Sequence, residues 1–222
     1  MPRGPKKPIP QAEITQLLHD IHSLNINTRT REIFLNGYVA DDYDEDPGVD
    51  YRSTSTFLKN LNFLETLGWS KIVVHMQITG GDWSSGMAMF NAIQAAKSMV
   101  TVIAYAQASS MSGVILQAAD NRILMPDTHF MLHYGSLVVD GTSQAVLAAV
   151  DQNEHDNKRM LEIFSERAAE GPHFRAKRWG VKRVADYIDN EMRQKGDWYL
   201  SAAEAVEFGF ADGVIGRDVT KI

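Results

Sequence analysis

The sequence predicts an α/β fold in which β-α-β units build a mainly parallel sheet. Two short apolar runs rich in β-branched residues, at 71–78 (KIVVHMQI) and 100–106 (VTVIAYA), are typical of strands buried on both faces. Between them, residues 86–99 carry apolar side chains at helical spacing. A shorter apolar helix and two further strands follow, at 111–119, 121–125 and 129–133. Because strands and helices alternate with short connections, parallel strands joined by right-handed crossovers are expected.

The elements before this unit are predicted from the same periodicities. Residues 12–24 have apolar positions at helical spacing, and residues 32–39 (EIFLNGYV) are typical of a strand that runs into a turn. A second helix is predicted to end near Gly68. Residues 1–10 are rich in proline and basic residues and are expected to form a mobile arm, so that a single domain spans residues 11–222.

A projecting helical region is predicted at about 142–195. Residues 142–169 form a long helical pattern whose apolar stripe is flanked by many charges, and a helix of this kind often packs against a partner subunit. Another helix is predicted around 184–192. After it, Ser201 and Glu204 have the spacing of a capping box, which predicts the start of one more short helix.

The composition excludes several classes of protein. The 222 residues contain no cysteine, which excludes a disulfide scaffold, a thiolate zinc site and a cysteine nucleophile. The formal net charge of −6 argues against nucleic-acid binding and suits an enzyme. No apolar run approaches the ~18–20 residues that cross a bilayer. The basic N-terminal segment has no apolar core behind it, so no secretory signal is expected and a cytoplasmic protein is predicted.

Two segments, one acidic and one basic, each contain charges of mainly one sign. Residues 41–50 contain six carboxylates and no basic residue, whereas residues 171–183 are basic with interleaved aromatic residues. For the acidic segment, a solvated loop is favoured over an acidic contact surface. For the basic segment, a solvated face or an intersubunit contact with the 41–50 carboxylates is favoured over binding to nucleic acid or to an acidic partner.

Glycines and polar residues follow three of the predicted strands, at 79–82 (TGGD), 107–113 (QASSMSG) and 132–135 (LHYG). Ligands of open α/β sheets bind beyond the carboxyl ends of the strands, so these segments are the candidate site. A serine at a strand-to-helix junction lies near the N–H groups of the helix N-terminus, and a histidine that ends an adjacent strand can accept its proton. Each of these features has another interpretation when taken singly. Glycine pairs are typical of turns, clustered serines are typical of helix caps, and a lone histidine is typical of a strand edge.

Other known catalytic patterns do not occur in the chain. There is no G-x-S-x-G nucleophile elbow of the α/β-hydrolase type and no Walker P-loop. The seven histidines do not have the spacing of metal ligands, so no catalytic metal and no cofactor are predicted. Side chains and backbone amides at the strand ends are therefore the expected catalytic groups.

Four blocks of the sequence match, in order, the motifs of one known family. The family's S-P-G-G corresponds to ITGG at 78–81, and its G-Q-A-A-S-M-G corresponds to AQASSMS at 106–112. Its M-I-H-Q-P corresponds to MLHYG at 131–135. The longest and most specific block, D-R-F-L-S-A-x-E-A-V-E-Y-G-L-V-D, corresponds to DWYLSAAEAVEFGFAD at 197–212. On these blocks the chain resembles the proteolytic subunit of the ATP-dependent Clp proteases (ClpP), which implies a ClpP/crotonase-like fold.

The resemblance implies the site of a serine peptidase. It makes Ser110 the nucleophile, His133 the general base and Asp197 the group that orients the imidazole. It places the oxyanion hole at the backbone N–H groups of Gly81 and Met111.

The resemblance also implies contacts with a polypeptide substrate, at Gly80, Tyr134, Gly135 and Ser136. The family has an edge strand after the histidine, which would lie at about 135–141 in this chain. Backbone hydrogen bonds from such a strand bind an extended peptide with little sequence preference.

A ring-shaped homo-oligomer is implied as well, a stacked double ring of heptamers that encloses the active sites and works with an AAA+ unfoldase. The chain is longer than the family pattern at about 170–185, close to where the family makes its ring–ring contact. Val73 and His75 stand where the family has aromatic docking positions, so docking on a standard ATPase is not implied. Neither a membrane nor a nucleic acid is expected as a partner.

Departures from the family pattern leave alternatives open. Thr79 replaces the family's proline, and Tyr134-Gly135 replaces Gln-Pro, which indicates a divergent member with a phage origin as one option. A serine endopeptidase is the favoured function. The alternative is a catalytically silent structural or assembly subunit, or a phage capsid-maturation protease. A crotonase-type protein acting on acyl-CoA thioesters is disfavoured, because the Ser-Met and His placements do not belong to that group.

Overall fold

Two β-sheets and the helices that cover them form the part of the chain that the computed structural model describes, residues 9–37 and 48–220. The strands are β1 (Ile26–Asn27), β2 (Glu32–Asn36), β3 (Ile72–Gln77), β4 (Val100–Ala104), β5 (Gln107–Ser109), β6 (Asn121–Leu124), β7 (His129–Leu132), β8 (Trp198–Ser201) and β9 (Gly213–Val214). The helices are α1 (Gln11–Leu24), α2 (Tyr51–Thr66), α3 (Trp83–Ala95), α4 (Met111–Gln117), α5 (Ser143–Ala168), α6 (Pro172–Lys177), α7 (Val181–Lys195) and α8 (Ala202–Glu207). Most of the predicted arm and of the acidic segment, residues 1–8 and 41–47, lies outside the described residues.

The larger sheet is parallel except at one edge, which confirms the predicted fold class. Its strand order within the described residues is β1-β2-β3-β4-β6-β9, and the antiparallel pair is β1 with β2. All of β4 is buried, as expected for a strand covered on both faces. In β3 burial alternates, and Val73 and His75 remain half-buried, so one face of that strand is less covered than its apolar run predicts. Because β3 and β4 are parallel, their carboxyl ends open at the same edge.

The smaller sheet has the strand order β5-β7-β8. The run 100–106 predicts a single strand, but the chain bends after β4 and continues as β5, which pairs with β7 instead. Thr128 stabilises this bend, because its hydroxyl lies 2.9 and 3.0 Å from the carbonyl oxygens of Ala104 and Tyr105. Pairing in the second sheet is parallel between β5 and β7 and antiparallel between β7 and β8.

The predicted capping box is present at the start of α8. The Ser201 hydroxyl accepts from the N–H of Glu204, and the Glu204 carboxylate accepts from the N–H of Ser201. Two donors that would otherwise be unpaired at the helix N-terminus are thereby satisfied. The hydrogen bonds from Ser201 hold the pKa of the Glu204 carboxyl below its usual value.

The basic segment 171–183 is only in part a solvated face. It contains α6, whose Phe174 is fully buried against the rings of Trp179 and Phe208. The ammonium group of Lys177 lies 4.8 Å from the centroid of the Trp179 ring, in a cation–π contact. The aromatic residues of the segment therefore belong to the core, and only its cationic groups face solvent as predicted.

The segment between β7 and α5 has no regular secondary structure in the single chain. The resemblance places an edge strand at 135–141, but a strand requires a partner for its backbone N–H and C=O groups. No strand of the described residues pairs with this segment, and the hydrogen bond from the Gly135 N–H goes to a side chain of α5. Val138 is 99% exposed, and its neighbours Leu137 and Val139 are exposed as well. An unpaired apolar segment of this kind is suited to pairing with another extended chain.

We predict that Gly171→Ala destabilises the fold, because two backbone segments touch at this glycine. A Cβ on Gly171 would lie 2.6 Å from both Cα and N of Gly209, which are backbone atoms that cannot rotate away. The expected loss in the free energy of unfolding is about 1–3 kcal/mol, as for other overpacked sites, and urea unfolding measures it. Gly180→Ala is the matched control, since a Cβ there meets nothing within 4 Å. Equal stability of the two variants would contradict this contact.

Candidate active site

Ser110 stands at the junction of β5 and α4 in a strained backbone conformation. Its φ of 54° and ψ of −125° are unusual for any residue but glycine, and such strain costs of order 1–3 kcal/mol. The Ser110 N–H donates to the carbonyl of Met131 at 3.0 Å, and its carbonyl accepts from the N–H of Val114 at 3.2 Å. These bonds hold the serine at a sharp strand-to-helix turn, like that of a nucleophile elbow, although the G-x-S-x-G pattern is absent.

The β7–β8 ladder brings His133 and Asp197 together. At its end Leu132 pairs with Trp198, so the residue after β7 and the residue before β8 are neighbours. His133 Nδ1 lies 3.1 Å from Oδ1 of Asp197, and His133 Nε2 lies 2.8 Å from Oγ of Ser110. With its proton on Nδ1, the imidazole donates to the carboxylate and accepts from the serine hydroxyl. The geometry is therefore that of a general base beside a nucleophile.

Gly80 lies directly against the serine. A Cβ on Gly80 would be 2.8 Å from Oγ of Ser110 and 3.3 Å from the backbone nitrogen of Met111. Any side chain at position 80 would therefore occupy the space beside the hydroxyl and the first amide of α4. Glycine is required here by close approach, which the sequence pattern TGGD alone does not distinguish from an ordinary turn.

A short bridge to Val49 orients the next residue, Gly81. The Val49 N–H donates to the carbonyl of Gly80 at 2.7 Å, and the Asp82 N–H donates to the carbonyl of Val49 at 2.9 Å. In this pairing the N–H of Gly81 points away from Val49. The N–H of Met111, in the first turn of α4, has no intrahelical acceptor. Both residues line the same cleft beside the serine, so their amides are the candidate donors at this site.

A cleft of about 500 Å³ opens beside these groups, within the range of ligand-binding pockets. Apolar side chains from three helices line it, namely Trp83, Val114 and Met160. Polar groups of α5 also face it, among them Asn153 and Asp156. Sequence reasoning missed the lining residues of α3 and α5, because these helices are distant from the serine in the chain and carry no motif, and it missed Val114 of α4 because its apolar side chain has no distinguishing pattern. Val49 was missed for the same reason.

The residues predicted to bind substrate occupy two different places. Gly135 and Ser136 line the cleft, and Gly80 lies directly against the serine side chain. The side chain of Tyr134 instead points toward α7, where its hydroxyl donates to Asp189. Tyr134 lines an adjoining groove between α5 and α7, which shares Gly135, Asn153 and Asn157 with the cleft beside Ser110. Tyr134 itself does not line that cleft.

Within the described ranges, no group of three or more His, Asp or Glu side chains is placed to hold a metal ion. None of the helices in that part of the chain has the length and the apolar character needed to cross a membrane. Every buried side-chain nitrogen or oxygen of the described residues has a hydrogen-bond partner.

Known proteins with similar sequences and structures agree on one family. The Clp protease family model matches residues 22–218 of this chain. The chain is 26% identical to "ATP-dependent Clp protease proteolytic subunit 2" of Pseudomonas aeruginosa over 196 residues, which is 86% of this chain and 85% of that relative. It is also 26% identical to the protein of the same name from Rhodococcus jostii over 148 residues, 66% of this chain and 68% of the relative. A solved ClpP1 mutant from Listeria monocytogenes superposes with a TM-score of 0.66 at 18% identity, covering 85% of this chain and 92% of that one.

The fold is thus a mixed α/β fold of the ClpP type. The chain belongs to the Clp protease family, as a divergent member. This finding confirms the resemblance carried by the four sequence blocks.

We predict that Ser110→Gly is more stable than Ser110→Ala, although neither variant retains the hydroxyl. Glycine adopts the positive φ of this position without a Cβ penalty, so the expected difference in the free energy of unfolding is about 1 kcal/mol. The matched pair is Ser109→Gly and Ser109→Ala, one residue earlier in β5, where the alanine variant should be the more stable. If alanine is preferred at both positions, the serine is not strained.

Proposed function

We propose that this chain is a serine endopeptidase of the ClpP type, which hydrolyses unfolded polypeptides through an acyl-enzyme. One observation carries the proposal: Ser110 Oγ, the His133 imidazole and the Asp197 carboxylate form a continuous hydrogen-bonded line, with contacts of 2.8 and 3.1 Å. Membership of the Clp protease family supports peptide hydrolysis as the reaction. A crotonase-type function on acyl-CoA gives this line of side chains no role.

Acylation begins when His133 Nε2 takes the proton of Ser110 Oγ as the oxygen attacks the scissile carbonyl carbon. The carbonyl oxygen becomes an anion that accepts hydrogen bonds from the N–H groups of Gly81 and Met111. Asp197 holds the imidazole and stabilises the imidazolium without taking the proton itself. The imidazolium then protonates the leaving amine, the C–N bond breaks, and the acyl group remains as an ester on Ser110.

Deacylation repeats these proton transfers with water as the nucleophile. His133 takes a proton from water as the water oxygen attacks the ester carbon, and the same two amides stabilise the second tetrahedral anion. When the C–O bond to Ser110 breaks, the imidazolium returns its proton to the serine oxygen. The products are a free carboxylate and the original hydroxyl. Each amide donor is expected to contribute about 100–1000-fold to kcat.

Substrate binding is assigned to the extended segment that follows His133. The Gly135 N–H donates to Oδ1 of Asn157 at 3.0 Å, which anchors the start of this segment to α5. Beyond it the backbone pairs with no strand of the described residues and is open to an added chain, whereas the exposed side chain of Val138 is left for a subunit contact. An extended peptide can add to such an edge through main-chain hydrogen bonds, which recognise backbone and not sequence. An unfolded polypeptide fits this mode of binding.

The proposed enzyme works as a homo-oligomeric ring, a double ring of heptamers in the cytoplasm. An AAA+ unfoldase partner would have to dock without aromatic residues at positions 73 and 75, which are valine and histidine here. The relatives from P. aeruginosa and R. jostii are named as subunits of ATP-dependent proteases. In this chain Val138 precedes α5, and Leu147 and Val150 lie on its first half, all exposed apolar side chains. Leu147 and Val150, three residues apart on one helix, are neighbours on its surface, and we assign these exposed apolar residues to a contact with a second copy of the chain.

Fluorophosphonate labelling tests the proposed chemistry. The probe should form a covalent adduct at Ser110 in the wild type, located by peptide mass spectrometry, and none in Ser110→Ala.

Asp197→Asn should reduce peptidase kcat by about 10⁴-fold, because the imidazole loses the group that fixes its tautomer. Asp186→Asn is the matched control, an exposed aspartate on α7 outside the site, and should retain wild-type kcat.

A folded wild type that forms intact particles but neither labels at Ser110 nor cleaves peptides at any pH from 6 to 9 would contradict the proposal. That result would favour the silent structural or assembly subunit. Turnover of acyl-CoA thioesters without peptidase activity would revive the crotonase-type alternative.

Assembly provides a separate prediction. Replacing an exposed apolar residue by a charge, in Val138→Asp or Leu147→Asp, should shift the native mass toward smaller species, because the charge would be buried at a subunit contact. Native mass spectrometry measures the change. Asp140→Ser is the control, since it alters the same exposed segment without removing apolar surface. Unchanged mass of both apolar variants would exclude this surface from the interface.

A further inference from the structure

Three side chains behind the candidate site form a hydrogen-bonded cluster, Tyr134, Asp189 and Arg193. The Tyr134 hydroxyl donates to Oδ1 of Asp189. Nε of Arg193 lies 3.0 and 2.9 Å from the two carboxylate oxygens of Asp189. The guanidinium also lies over the Tyr134 ring, 5.3 Å from its centroid. The Clp family pattern has glutamine where this chain has Tyr134.

The cluster connects the two chain segments that carry the base and its carboxylate. Tyr134 directly follows His133, whereas Asp189 and Arg193 lie on α7, which ends two residues before Asp197. The β7–β8 ladder ties the same two segments together from the other side, through its terminal pair. Two independent contacts therefore hold the segments of His133 and Asp197 together: the Tyr134–Asp189 hydrogen bond and the terminal pair of the β7–β8 ladder.

The negative charge of Asp189 strengthens its hydrogen bond with the Tyr134 hydroxyl. Burial, followed by the hydrogen bond to Asp189, raises the pKa of Tyr134 to about 12. The hydrogen bond from Arg193 lowers the pKa of the Asp189 carboxyl below its usual value. At neutral pH the phenol is thus a proton donor and the carboxylate is ionised, and a hydrogen bond to an ionised acceptor is stronger than one between neutral groups.

We infer that Tyr134 is a positioning residue, which holds His133 in line between Ser110 and Asp197 by fastening the adjacent backbone to Asp189 of α7. The inference rests on the proposed function and deepens it. The next residue, Gly135, is fastened to α5 through its N–H, so the backbone after the histidine is held on two sides. Without the tyrosine hydroxyl, the His133 imidazole can still accept and donate a proton, but it is held less firmly in line between Ser110 and Asp197.

The experiment compares Tyr134→Phe with Tyr187→Phe. Each variant loses one phenol hydroxyl of a half-buried tyrosine, but the Tyr187 hydroxyl has no hydrogen-bond partner among the described residues. We expect kcat and the rate of fluorophosphonate labelling to fall about tenfold in Tyr134→Phe, since small misplacements of catalytic groups cost this much or more. KM should change less than about twofold, because the hydroxyl lies outside the cleft. Tyr187→Phe should match the wild type in all three quantities.

A double-mutant cycle identifies the partner. If the tyrosine acts through its bond to Asp189, Asp189→Ala, which removes the acceptor, and the double variant with Tyr134→Phe should each lose about the same activity as Tyr134→Phe alone. Multiplicative losses in the double variant would show that the two residues act separately and would overturn the inference.

Hydrogen exchange supplies a readout that does not depend on activity. Backbone amides of residues 133–136 should exchange faster in Tyr134→Phe than in the wild type or in Tyr187→Phe. Unchanged kcat and unchanged exchange in Tyr134→Phe would overturn the inference and leave the proposed function intact. An inactive, unlabelled wild type would overturn the proposed function instead, and the exchange rates would still decide whether the tyrosine holds this segment.

Discussion

Antiparallel pairing between β7 and β8 is the constraint on which the candidate site depends. The pair of Leu132 and Trp198 ends the ladder and leaves the next residues, His133 and Asp197, side by side. Ladder geometry fixes the separation of these backbones far better than two flexible loops could. The same β7 also pairs with β5, which ends immediately before Ser110. One small sheet therefore positions all three side chains of the hydrogen-bonded line, and the larger parallel sheet serves as its support.

Close backbone packing around Ser110 positions the remaining groups of the candidate site. Ser110 adopts a conformation that is unfavourable for its residue type, and hydrogen bonds at both its N–H and its C=O maintain it. Gly80 approaches so closely that any side chain would fill the space next to the hydroxyl. Val49 then orients the neighbouring amide of Gly81 through two backbone hydrogen bonds. The strained backbone of Ser110, the missing side chain of Gly80 and the bridge to Val49 together place the serine hydroxyl beside the backbone amide of Gly81.

Sequence patterns predicted the parallel sheet and most helices to within a few residues, because burial imposes periods that sequence retains. Family blocks marked Ser110, His133 and Asp197 individually, and their meeting in space followed from the resemblance rather than from spacing. The left-handed backbone at the serine left no sequence signal, since neither neighbour is glycine. The orientation of Tyr134 was equally hidden, because its partner Asp189 lies 55 residues further along the chain. Long-range contacts of single polar side chains have no period from which to predict them.

A crystal structure of the assembled protein with a peptide boronate tests the central claim most directly. We predict a covalent bond from Ser110 Oγ to boron, with one boronate oxygen accepting from the amides of Gly81 and Met111. The peptide is expected to run in an extended conformation along residues 135–139. A well-ordered boronate bound elsewhere on the chain, with the serine oxygen unmodified, would contradict the account.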